Sequence, residues 1–508
     1  MPSSSILVTL VCLFSILYFL KRLVFSAKQP APLPPGPKGL PIIGNALDFP
    51  TKDIGQEYVK WGKRYASDIL HATAFGTHVI ILNKKEAVDE VFERRAQMYS
   101  DRPHFPLAEL IGLSYNMAFM NYGEKWQLCR KITQQMFRQG SMDNFNWVIK
   151  RKVHQALGGL LSNPDDFAYH NKMLAIAIPM ASMYGYDVQS PQDPCIIAAD
   201  KSLNLSIQLI APGGSLINIL PILKHVPAWF PGASSRKAAE RVRKLTEDMQ
   251  QIPLDFVKSQ MSKGTAAPSF VAEFLERKQT VGVSEAEEAA VLSIAPTVYA
   301  GGSDTTVSAL GTFIYLMAVN PDVQKKAQAE INSIIGSKRL PEFEDRPMMP
   351  YSEAIYREVL RWRSPGPVGL PHTAAEDDIY DDTHIKRRLG RAMTHDESIY
   401  SQPDIFRPER FFNADGTLND DDRVLTYGFG RRVCVGKHMA SNILWMTMVS
   451  ILATFNIEKA RDEAGNEIEI TDEYVDFGFL TFKKPFKCSI TPRSVTAQQL
   501  VEQACANA

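Results

Sequence analysis

Read for hydropathy alone, the chain opens on a nearly unbroken apolar run, Ile6 to Leu20. As a helix it spans ~23 Å, short of the ~30 Å hydrocarbon core of a bilayer. Lys21 and Arg22 follow and can snorkel, which lets Leu23 to Phe25 lengthen the span. No positive charge precedes the run, and Phe25-Ser26-Ala27 is a poor cleavage site, so the pattern predicts a retained anchor over residues 1–27. Positive charge after the run predicts that the remainder stays on the cytoplasmic side. Next comes "PAPLPPGP" (Pro30 to Pro37), which cannot be helix and predicts a stiff spacer over residues 28–40.

Beyond it the periodicity is mostly helical. A β-rich patch occupies about residues 66–84 ("ASDILHATAFGTHVIILNK"), and short strand-like pieces follow residue 365 and recur near the C-terminus. There is no internal repeat. The pattern predicts a mainly α chain with small β-sheets (α+β), with one large domain over residues 41–508. One helix dominates it. Ser284 with Glu287 makes a capping-box start, and Asn320-Pro321 makes a stop. The interval is roughly 35 residues, or ~50 Å, about three times the usual helix length, so this helix is expected to cross the middle of the domain. It nonetheless contains Pro296 and "AGGSDTT". Two interior glycines cost about 1 kcal/mol each against alanine, so either something approaches the backbone there or the helix opens.

Composition narrows the possibilities. The chain has 508 residues, 45% hydrophobic and 22% charged, with 56 basic and 56 acidic side chains. Zero net charge argues against nucleic acid as a partner, because phosphate recognition needs concentrated positive charge. None of the six cysteines forms a C-x-x-C pair, which leaves zinc ribbons and thioredoxin-like sites poorly supported. Their scatter fits a reduced compartment.

Cys434 is the exception. It lies in "YGFGRRVCVGKHMA", between two glycines and after two arginines. A helix is expected to begin just after it, and a thiolate forms readily at a helix N-terminus beside positive charge. Gly430 and Gly436 would admit backbone N–H groups and a flat cofactor close to the sulfur. A lone thiolate without a second cysteine in the stretch suits an axial ligand of haem iron better than a zinc site. A buried free cysteine in a glycine-rich turn is the structural alternative.

The stretch resembles the haem-binding signature F-x-x-G-x-R-x-C-x-G of the cytochrome P-450 haem-thiolate monooxygenases, here the membrane-bound fungal type. Tyr427, Gly430, Arg432, Cys434 and Gly436 fall on its positions; Tyr427 stands where the family has Phe, and its hydroxyl needs a partner. The resemblance implies Cys434 as the metal ligand on haem iron and Arg432 as a propionate partner. "GGSDTT" (Gly301 to Thr306) resembles the oxygen-activation motif, in which the glycines leave a groove for dioxygen and Asp304 and Thr305 pass protons. Glu358 and Arg361 match E-x-x-R on one helix face. With Arg410 of "FRPERF" they would form a buried structural triad. Trp126 and Arg130 match W-x-x-x-R, facing one way on a helix toward haem propionate. His372, in "GLPHTA", occupies a place where the family often has a propionate-binding Arg or His.

The implied fold is the cytochrome P-450 fold with an N-terminal transmembrane helix. Haem b is the implied cofactor, with O2 and with NADPH electrons arriving through NADPH-cytochrome P-450 reductase. The implied reaction is hydroxylation or epoxidation of a hydrophobic small molecule, with polycyclic aromatics, terpenoids and polyketides as candidates. The implied location is the endoplasmic reticulum membrane, single-pass, with the catalytic domain cytoplasmic. Lys125, Lys131, Arg431 and Lys437 form either a docking face for an acidic partner or ordinary solvated charges. Phe105 to Met120 and Ala211 to Gly232 are expected to line the pocket and its mouth.

One segment departs from the family pattern. Lys386 to Asp396 ("KRRLGRAMTHD") is about five residues short and basic where apolar strand positions belong. This leaves a second class open: a membrane-anchored haem or lipophile binder without turnover. A haem-thiolate isomerase or dehydratase fits less well with an intact Asp304-Thr305 pair.

Overall fold

The computed structural model describes residues 15, 32–190, 192–210, 215–230, 233–376, 378–380, 383–385, 392–421, 425–477 and 479–508. The anchor expected over residues 1–27 lies outside the described residues apart from Ser15; among the described residues no helix is long and apolar enough to cross a membrane. Residues 386–391 of the shortened segment also lie outside them.

The later part of the proline-rich stretch is not a free spacer. His71 N–H donates to the Pro35 carbonyl at 3.0 Å. A Cβ on Gly36 would fall 1.9 Å from the His71 carbonyl oxygen. Proline lacks a donor but keeps its acceptor, so the stretch lies as an edge against the first hairpin. That hairpin is the expected β-rich patch: β1 (Ile69–Ala74) and β2 (Thr77–Leu82) pair antiparallel with Ile69 opposite Leu82. Phe75 and Gly76, both at positive φ, make the turn. Three further two-stranded antiparallel sheets follow: β3 (Asp378–Tyr380) with β4 (Thr383–Ile385), β5 (Phe455–Lys459) with β8 (Cys488–Pro492), and β6 (Tyr474–Phe477) with β7 (Leu480–Lys483).

Helices make up most of the body, as expected. The long ones among the described residues are α1 (Ile54–Tyr65), α2 (Glu124–Met136), α3 (Asp143–Ser162), α4 (Phe167–Tyr184), α5 (Pro194–Ile210) and α6 (Ser234–Ser262). After them come α7 (Phe270–Thr280), α8 (Glu285–Val319), α9 (Pro321–Ile335), α10 (Pro350–Trp362), α11 (Lys437–Thr454) and α12 (Val495–Ala506). Helix α8 is the long helix read from the caps: 35 residues, with Ser284 Oγ accepting from Glu287 N–H at 3.2 Å. It stays helical through Pro296 and both glycines, so it does not open. Its second half is apolar all round and fully buried at Ala309, Leu310, Phe313, Ile314 and Met317. It packs against α2, α4, α10, α11 and β7, which makes it the axis of the domain.

Helix α11 is the second core helix, with Trp445 and Met446 buried. Because it starts three residues after Cys434, the cysteine loop is anchored directly to the core. Helix α12 is a feature the hydropathy pattern did not announce. It docks on α3, where a Cβ on Gly158 would come within 2.6 Å of Cys505 Sγ.

Candidate active site

Backbone geometry holds the cysteine loop. Gly428 and Gly430 have φ of 76° and 58°. At Gly430 a Cβ would also fall 1.9 Å from the Phe92 carbonyl oxygen, so a side chain is excluded both by conformation and by contact. Cys434 N–H donates to the Tyr427 carbonyl at 2.8 Å and closes the loop. The side chain of Cys434 is exposed. Burial nevertheless dominates its thiol and raises it; the Gly436 N–H, Arg130 and Lys437 pull the other way without overcoming it. Desolvation and the nearby positive charge therefore act on this thiol in opposite directions.

Beside the loop stands a cluster of cations bonded mainly to backbone oxygens. Arg432 donates to the carbonyls of Ser100 (2.7 Å), Met117 (3.2 Å) and Met120 (2.8 Å). Its guanidinium lies 4.2 Å from the Trp126 ring centroid. Arg130, one helical turn after buried Trp126, donates to the Val433 carbonyl. His372 Nδ1 donates to the Tyr99 carbonyl at 2.7 Å, with the Phe92 ring edge-on at 4.5 Å. So Trp126, Arg130, Arg432 and His372 surround one region, as the motifs predicted.

Arg102 belongs with them and was missed. It donates to the carbonyls of Ala118 (2.8 Å), Leu370 (3.0 Å) and Pro371 (2.9 Å). Burial, then the charge of Arg432, pulls it down to about 9. Burial likewise takes Arg432 to about 10. The neighbouring carboxylate, Asp101, is committed to the N–H groups of Arg102 and Tyr122, both at 2.8 Å. Buried positive charge without matching negative charge is costly, so this donor set suits an anionic occupant. Nothing in the residue pattern around Arg102 marks it, since its partners are carbonyls brought from 16 and more residues away.

On the outer side of α2, a surface groove of about 460 Å³ is lined by Arg130, Lys131, Arg138 and Arg431, with no acidic side chain. Lys125 and Lys437 are exposed but do not line it, and Arg138 replaces them.

In α8, Gly301 is exposed in mid-helix and a Cβ there would meet nothing within 4 Å. That glycine leaves open space rather than a packing notch. Thr305 Oγ1 donates to the Gly301 carbonyl at 2.7 Å. Asp304 is raised to about 6 by burial and then by Asp200, with Lys172 opposing. Lys172 is ion-paired to Asp200. A carboxyl in that range both gives and takes protons near neutrality.

Glu358, Arg361 and Arg410 do come together. Arg361 grips Glu358 with Nε (2.6 Å) and Nη2 (2.9 Å), and Arg410 Nε reaches it at 3.0 Å. All three side chains are at most 4% exposed. Their remaining donors meet carbonyls, including that of Thr394 from Arg361 Nη1 at 2.8 Å. Thr394 sits in a 3-10 turn, Ala392–His395, so the end of the shortened segment is fastened by the triad. The hydroxyl of Tyr427 finds its partner in the Tyr356 hydroxyl at 2.9 Å, from α10.

A mainly helical body around one long axial helix, with a glycine-framed thiol and a buried cationic cluster, defines a thiol-centred enzyme site of haem-protein type. The Cytochrome P-450 family model matches residues 34–490. A cytochrome P-450 monooxygenase of Armillaria gallica is 35% identical over 99% of this chain and 100% of its own length. Cytochrome P-450 monooxygenase 208 of Postia placenta is 36% identical over 96% of each chain. Cytochrome P-450 monooxygenase ple1 of Rhodocybe pseudopiperita is 36% identical over 93% of this chain and 92% of its own. The chain belongs to the cytochrome P-450 family and is a monooxygenase, an oxidoreductase whose family uses haem, dioxygen and electrons from a redox partner. The residues present fit that group: an exposed thiol in a closed loop, open space at Gly301, and buried cations whose neighbouring carboxylate, Asp101, is bonded to backbone N–H groups.

Proposed function

We propose that the chain is a membrane-anchored haem-thiolate monooxygenase that hydroxylates or epoxidises a large hydrophobic molecule. Cys434 would hold the haem iron, and Arg102, Trp126, Arg130, Arg432 and His372 would receive the propionates of haem b. The exposed Cys434 thiol, in a loop closed by its own N–H on the Tyr427 carbonyl and passing through Gly430, which admits no Cβ, carries this reading. Bound haem supplies the dioxygen-activating and substrate-oxidising chemistry.

The protein supplies position, dryness and protons. The Tyr427–Tyr356 bond ties the cysteine loop to α10, and the Glu358–Arg361–Arg410 triad fastens α10 to residues 394–407. Gly301 leaves room above the backbone of α8 for a small gas molecule. Asp304, held near neutrality, takes protons from the side of α4 and α5 and passes them toward the Thr305 hydroxyl. NADPH-cytochrome P-450 reductase is the electron donor, and the acid-free groove at Arg130, Lys131, Arg138 and Arg431 suits its acidic face.

Membrane attachment draws on residues 1–27 and on an apolar rim. Ile222, Trp229 and Phe230 are 72%, 77% and 50% exposed, and Ile42 and Leu47 are 70% and 80% exposed. Exposed aromatic and branched residues in such number suit a lipid surface. Polycyclic aromatics, terpenoids and polyketides remain the substrate classes.

The test is a carbon-monoxide difference spectrum of the reduced full chain, followed by turnover with reductase and NADPH on a lipophilic panel. The reading expects a thiolate-type band that Cys434→Ala abolishes, and product formation that Thr305→Ala diverts to peroxide release. An unchanged spectrum in Cys434→Ala would overturn it. A thiolate band without product on any substrate class would favour the binder without turnover.

A further inference from the structure

His372 has one committed nitrogen. Nδ1 lies 2.7 Å from the Tyr99 carbonyl, and a carbonyl only accepts, so Nδ1 carries the hydrogen. In the neutral ring Nε2 is then a bare lone pair that cannot donate. No hydrogen bond joins Nε2 to any described residue. The groups that face the ring are the Phe92 edge, the Tyr99 carbonyl, Arg102 from the loop before the short helix at Pro106, and Arg432 from the cysteine loop. Two are cations and none is a carboxylate. Burial first, then Arg102, hold the imidazole well below its ordinary range, and the empty cradle keeps it neutral.

We propose that haem binding draws one proton onto His372, so that haem retention is coupled to pH through this residue. The step balances simply. One solvent proton is taken up per haem, at Nε2 or on the propionate oxygen facing it, and the shared proton makes the hydrogen bond that the neutral ring cannot. Arg102 and Arg432 stay charged below about pH 8 and contribute no proton to the balance. The sign follows from linkage. The propionate raises His372 in the loaded protein above its value in the empty one, so haem is held best at low pH. That advantage is lost as pH rises through the raised value, by at most about tenfold per pH unit for one proton. The inference rests on reading the cationic cluster as the propionate side of the haem site.

The experiment uses the full-length holoenzyme and measures the rate of haem loss to excess apomyoglobin between about pH 6 and about pH 8, the range in which a histidine shifted by its partners titrates and both arginines stay charged. The parent should lose haem faster as pH rises, approaching tenfold per unit. His372→Arg, charged throughout, should stay at the parent's acid-end rate with that slope removed. His372→Gln keeps a donor that does not titrate and should also lack the His372 contribution to the slope, which covers the case in which the arginine variant does not fold. Protonation of Cys434 is common to all three proteins and cancels in the comparison of slopes. A parental slope in either variant overturns the proton coupling. Unchanged haem loss at every pH, in both variants and in His372→Phe, overturns the reading of the cradle itself.

Discussion

Around Cys434, polar groups are tied down from several directions: Arg432 to three carbonyls, Arg102 to three more, Tyr427 to Tyr356, and Glu358 to two guanidiniums. Around Gly301 the opposite holds. The helix is regular, a Cβ would touch nothing, and Asp304 sits among charges that do not pair with it directly. On the proposed reading the cysteine wall is over-determined because a metal ligand must not move, and the α8 wall is left open because dioxygen, protons and a substrate would have to arrive there. The first region gains rigidity from satisfied buried polar groups, and the second keeps unfilled space and an uncomfortable carboxyl at a cost in stability.

Breaking the cysteine wall should have the largest effects. Glu358→Ala leaves two buried guanidiniums unpaired and should cost about 3–5 kcal/mol, read as lost haem content and a collapsed thermal transition. Gly430→Ala should come next, at about 3 kcal/mol, since φ of 58° and the 1.9 Å approach to Phe92 O both oppose a methyl group. Chemical denaturation of the holoprotein measures it. A milder loss than that of a typical surface glycine would break the comparison.

The α8 wall should respond in the other direction. Asp304 is raised to about 6, so the fold opposes its ionised form; the penalty is absent below the ordinary carboxyl range of about 4 and complete above about 6. Asp304→Asn should therefore stabilise the protein by on the order of 2 kcal/mol at pH 8 and leave it unchanged near pH 4, while slowing product formation. Melting curves at the two pH values decide it. Gly301→Ala should have the smallest effect, a gain of up to about 1 kcal/mol from helix propensity, coupled to weaker carbon-monoxide binding as the methyl fills the open space. Destabilisation by that change would mean the glycine is a packing notch after all.

Much of this was legible in residue order, because local rules act within one element. Ser284 and Asn320-Pro321 marked both ends of α8, and the glycines and Cys434 marked a loop feeding α11. Spacing also placed Glu358 with Arg361 and Trp126 with Arg130, since positions three or four apart on a helix share a face. Arg102 was invisible for the complementary reason: its role comes from carbonyls at residues 118, 370 and 371. The opposing pulls on the Cys434 thiol have the same origin, because charge near a cysteine can be counted along the chain and desolvation cannot. Arg138 in the groove and α12 on α3 likewise depend on distant surfaces meeting.

Sequence alone determined the helical class, the length of the axial helix, the glycine-framed loop that holds Cys434 and the family to which the chain belongs. Tertiary structure decided which cations gather at one buried place, how far burial opposes their charge, and that Tyr427 is answered by Tyr356. Periodicity and caps are read over a few residues, whereas solvation and electrostatics depend on everything within several ångströms, wherever it lies along the chain.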